Sequence, residues 1–90
     1  MNNKIALESL VMDLKRIALG YHRGSLGMAN RFSQEALKRK SEIDLEDVKP
    51  YIKTIISKLD RILTHKDVQK IADDALMTSI LLQNYIQTSL

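Results

Sequence analysis

The chain is predicted to be all-α, an antiparallel four-helix bundle built as one domain over residues 1–90. Three observations predict it. One proline and three glycines among many Leu, Ile, Lys, Ala and Glu residues favour helix over strand. Apolar residues recur at steps of three and four through four successive segments. Capping and turn residues fall between those segments.

The first segment carries Leu7, Leu10, Leu14, Ile17 and Tyr21 on one helical face, flanked by Val11 and Ala18. In the second, Ala29, Phe32 and Ala36 repeat the spacing, with Ile43 a further candidate. Gly20, Gly24 and Gly27 lie between the two. The preferred reading is a turn, with Ser25 capping the second helix. The alternative is a long first helix through the glycines plus a C-terminal helical hairpin, because Leu14, Ala18, Tyr21, Ser25, Met28 and Phe32 keep the helical rhythm. Each glycine inside a helix would cost about 1 kcal/mol relative to Ala, which favours the turn.

The third segment runs through Tyr51, Ile52, Ile55, Ile56, Leu59, Ile62 and Leu63. Pro50 belongs in its first turn, where a missing N–H costs nothing, and Asp47 is the expected cap. Thr64 and Asp67 match a capping box for the fourth helix, with Leu63 and Val68 spaced as a hydrophobic staple. Val68, Ile71, Ala72, Ala75, Leu82, Tyr85 and Ile86 then form its main stripe. The short turn between the third and fourth helices makes them antiparallel neighbours.

A chain of this length buries roughly 60–65% of the surface its unfolded form exposes. Modest stability of that kind is often supplemented by a disulfide, a metal or a second copy. The absence of cysteine removes the disulfide and every thiolate function, and suits a cytoplasmic setting. Met1 to Lys4 lead directly into a charged amphipathic stretch, so no targeting segment is expected. The net charge of +3 is uneven. Residues 1–43 hold eight Lys and Arg against four Asp and Glu, and residues 44–90 hold six against seven.

Little in the chain points to chemistry. No metal site or cofactor is expected: neither His22 nor His65 follows a Glu by three residues, as the di-metal sites of helical bundles require. The glycines lack the preceding strand and the Lys-Ser/Thr ending of a phosphate-binding loop. Asp73 and Asp74 point about 100° apart on a helix and do not converge.

Arg16 and His22 enclose five residues. That spacing resembles the arginine–histidine motif of HEPN-domain ribonucleases, which are also helical bundles. The resemblance implies a cationic Arg16 for phosphate and a His22 imidazole for proton transfer. The motif lies near the end of the first helix here, whereas that family carries it later in the fold. A surface arginine and a loop histidine remain the preferred reading. Lys38, Arg39 and Lys40, with Arg31 one or two turns earlier, could meet phosphates as a weak basic-face RNA binder. Their place at a helix C-terminus, with Glu35 spaced to pair with Arg39, favours a solvated face.

The strongest feature is a surplus of apolar surface. Charged residues make up 28% of the chain, yet Ala75 to Leu90 contains none. This stretch is too short and too often interrupted by Thr, Ser, Gln and Asn for a membrane span of ~20 residues. On a helical wheel Leu76, Met77, Ile80 and Leu81 fall largely outside the main stripe. In the first helix Ile5, Met12 and Leu19 recur every seven residues opposite the core, the spacing of a helix-association seam. Either the fourth helix is central and covered on both sides, or these seven residues contact another molecule. The second explanation is preferred. The expected role is a small non-catalytic helical protein acting through self-association or a protein partner, with a homodimer the default.

Overall fold

The computed structural model describes residues 3–90. They form an all-α bundle: α1 (Asn3–His22), α2 (Leu26–Lys40), α3 (Pro50–Ser57), α4 (Leu59–Leu63) and α5 (Val68–Ser89), with a 3-10 turn at Leu45–Asp47. The central helix is α1, which packs against α2 on one side and α5 on the other. Leu7, Leu10, Leu14 and Ile17 of α1 have no solvent exposure. They share one apolar cluster with Ala36, Ile52, Ile56, Leu59, Leu63, Ile71, Ala75, Leu82, Tyr85 and Ile86.

The glycine segment is a turn, and the alternative of one long helix is overturned. Gly24 has φ +74°, a left-handed conformation that stops α1 and that glycine adopts without a Cβ penalty. The Ser25 hydroxyl then accepts from Met28 N at 3.4 Å as the cap of α2. Gly20 remains inside α1 for a packing reason. A Cβ there would lie 2.9 Å from the backbone nitrogen of Ala29, so the α1 and α2 backbones meet where neither has room for a larger residue.

Two expected caps are displaced. Asp47 does not cap α3 but ends the 3-10 turn, and Lys49 occupies the cap position without a side-chain bond. Val48 and Lys49 are extended, as the residue before a proline prefers, so the helix waits until Pro50. Thr64 does not cap α5 either. Its hydroxyl donates to Asp60 O at 2.6 Å at the end of α4, while Asp67 accepts from Gln69 N at 3.0 Å and starts α5 at Val68. With that start Val68 is the first residue of α5 and is half exposed.

The third predicted helix is divided at Lys58, whose N–H bonds three residues back to Ile55 O instead of four. The hydroxyls of Thr54 and Ser57 donate to carbonyls one turn earlier, a pattern that bends short helices. The start of α1 is fastened to the chain beyond α2 by a reciprocal pair. Asn3 Nδ2 donates to Asp44 O and Asp44 N donates to Asn3 Oδ1, both at 2.9 Å.

Candidate functional site

α1 and α5 lie antiparallel and leave a groove along their outer side. At one end Leu19 and His22 face Gln69, Asp73 and Leu76 around a hollow of about 300 Å³. At the other, Glu8 and Met12 face Gln83 and Gln87 around a hollow of about 190 Å³. Lys15 lines both, and its Nζ donates to Gln83 Oε1 at 2.9 Å across the groove.

The seven apolar residues singled out in the sequence are all exposed, from 39% at Leu19 to 63% at Ile5. Helix geometry explains their arrangement. Ile5, Met12 and Leu19 follow one another at about two turns, so they form a single seam along α1. Leu76 borders the groove on α5, and Ile80 follows it one turn later on the same side of the helix. Met77 and Leu81 form a second row, rotated about 100° further from the first. The core-facing stripe of α5 is completed instead by Thr78 and Ser79, which are buried, the latter donating to Leu76 O at 2.6 Å.

The covered-on-both-sides explanation therefore does not describe α5 within one chain: the central helix is α1, and α5 keeps this side open. Seven large apolar side chains, each about half exposed, would gain on the order of 5–10 kcal/mol if fully covered, at about 1.5–3 kcal/mol per side chain. Single scattered apolar residues need no such account, but seven of them on two adjacent helices do.

Arg16 and His22 are not brought together. A step of six positions sets them about 120° apart around α1. The Arg16 guanidinium lies over the Phe32 ring of α2 at 5.1 Å, with Nη1 3.8 Å from Asp13, whereas His22 borders the hollow shared with α5. Arg31 lies over the same ring at 5.5 Å, so two guanidinium groups cover Phe32. In the basic run, Arg39 pairs with Glu42 at 3.0 Å and not with Glu35, and Lys40 pairs with Asp60 at 2.6 Å.

One buried group is missed by a search for apolar periodicity. Asp13 is 5% exposed, and its Oδ2 is buried without a hydrogen-bond partner, as are Ser33 Oγ and Arg39 Nε. Burial pushes its carboxyl above the ordinary carboxylate value, opposed by the positive charges of Arg39 and Arg16 and helped by Glu35. The signal lay in its position: Asp13 falls three residues after Leu10 and four before Ile17, inside the stripe facing the bundle.

Comparison with protein-family models, with curated proteins and with solved structures finds no match. Among the described residues no helix is long and apolar enough to cross a membrane. Nor do three or more His, Asp or Glu side chains there converge as a metal-binding group.

Proposed function

We propose that this chain is a non-catalytic helical interaction module that works by covering the outer face of α1 and α5 with another protein surface. The observation that carries the reading is the simultaneous exposure of Ile5, Met12 and Leu19 on one helix and Leu76, Met77, Ile80 and Leu81 on its neighbour. A face of that kind supplies affinity by desolvation, while Lys15 and Gln83 in its middle supply directional hydrogen-bonding groups. Having no cysteine to oxidise, the chain suits a reducing, cytoplasmic setting.

An environment-sensitive apolar dye and the Ile80→Asp variant test this function. The parent should either associate or, as a monomer, bind the dye. Ile80→Asp should lose that property while keeping its helical circular dichroism. A parent that neither associates nor binds dye contradicts the reading.

A second reading, an RNA-directed role, draws on the surplus of Lys and Arg in residues 1–43 and on Arg16 and Arg31 gathered at Phe32. Binding to mixed RNA that falls steeply with salt supports it. Cleavage abolished by His22→Ala supports its nuclease form.

A further inference from the structure

Resting on the interaction reading, we infer that the occupant of the α1/α5 face is a second copy of this chain, with α1 of each copy lying over α5 of the other. Charge and area both favour this occupant. On its open side α1 carries Lys4 and Lys15 against Glu8, with Arg23 just beyond its end, while Arg16 and Asp13 lie toward α2. α5 carries Asp73, Asp74 and Lys70 within its first seven residues; Lys70 pairs with Asp74 at 3.2 Å, which leaves Asp73 as the charge bordering the hollow, and the remainder of the helix is uncharged.

Two symmetric ways of stacking the face on itself are available. One sets α1 on α1 and α5 on α5, which places net-positive helices together and net-negative helices together. The other uses a two-fold axis parallel to the helices and sets α1 on the partner's α5. Because α1 and α5 are antiparallel within a chain, the second arrangement brings the basic end of α1 at Arg23 over the acidic start of the partner's α5. It also brings Leu19 of the α1 seam over the partner's Leu76, because these two residues lie at one level along the groove of a single chain. Opposite charges and apolar surfaces meet in the same register, so the second arrangement is the complementary one.

The area is sufficient. A 20-residue helix is ~30 Å long. Two such helices side by side, each ~10 Å across, present on the order of 600 Å² in projection. The accessible area of so ridged a surface is larger, close to the ~800 Å² per partner of a standard interface.

The absence of cysteine makes the test direct. Leu19→Cys and Leu76→Cys are made as separate single variants of the whole chain, both at exposed positions that leave the core intact. Each is oxidised alone and in an equimolar mixture, with one variant carrying a mass tag. The expected result is a two-chain mass by light scattering and a disulfide-linked heterodimer that dominates the mixture. Cross-linking of each variant to itself at the same rate would overturn the crossed arrangement. A single-chain mass at every concentration would overturn the second copy altogether. In that last case dye binding that is lost in Ile80→Asp would keep the interaction reading, and no dye binding would remove it as well.

Discussion

Lys15 and Gln83 are joined by a 2.9 Å hydrogen bond that spans the groove between α1 and α5. The bond ties the middle of the central helix to the uncharged half of the last one and separates the two hollows on either side of it. It lies amid a face that mixes Leu19, Leu76 and Met12 with Glu8, His22, Gln69, Asp73 and Gln87. The register of the two helices is set by the buried stripes beneath it, Leu7, Leu10, Leu14 and Ile17 of α1 with Ile71, Ala75, Leu82 and Ile86 of α5.

Close backbone contact between α1 and α2 gives the first prediction. In Gly20→Ala the new methyl would meet Ala29 N at 2.9 Å, and backbone cannot move aside as a flexible side chain can. The variant should lose about 1–3 kcal/mol of stability through overpacking, despite the better helix propensity of alanine. Urea denaturation measures it. Unchanged or raised stability would show that the two helices are further apart than this contact implies.

The caps of α5 give the second. Asp67→Ala should cost about 1 kcal/mol, the usual loss of a cap. Thr64→Ala should cost less, because its hydroxyl bonds only to a carbonyl at the exposed end of α4. Equal losses in thermal or urea denaturation would restore the capping box that the sequence suggests.

Asp13 gives the third. Its carboxyl titrates above the ordinary value in the folded chain because burial penalises the charged form. The folded state then holds the proton more tightly than the unfolded state, so this group's contribution to stability declines as pH rises through that window. Replacing it with the neutral isostere in Asp13→Asn should raise stability at neutral pH. The gain should disappear on acidification below the ordinary carboxylate range, where the native group is protonated as well. Melting temperatures of both proteins across pH check the sign, and a loss at neutral pH would mean that the attraction of Arg39 and Arg16 outweighs burial.

The architecture was legible because it is written in local pattern. The stripe Leu7, Leu10, Leu14 and Ile17 fixes the buried face of α1 wherever its neighbours lie, and Ser25 after Gly20 and Gly24 marks a turn. The exposed residues were legible for the complementary reason: a side chain outside a helix's main stripe stays outside it unless a further helix arrives. What was not legible depends on which groups compete for a backbone partner. Thr64 has the spacing of a cap, yet its hydroxyl finds the Asp60 carbonyl one turn back. Asp47 has the residue type of a cap, yet Pro50 holds Lys49 extended and delays the helix. The Asn3–Asp44 pair joins residues 41 apart in sequence, beyond the reach of any local rule. Asp13 was hidden by its type, since aspartate is rarely buried without a partner.

Light scattering of the parent and of Ile80→Asp over a range of concentrations most directly probes whether the α1/α5 face binds a second copy. Twice the single-chain mass is expected for the parent. Association should weaken at least ~10-fold in Ile80→Asp, since a charge then replaces apolar contact on both copies. The substituted side chain is exposed in the single chain, so the variant monomer should stay folded within about 0.5 kcal/mol of the parent. A parent that has the single-chain mass at every concentration, or an Ile80→Asp variant that associates as well as the parent, would contradict self-association through this face.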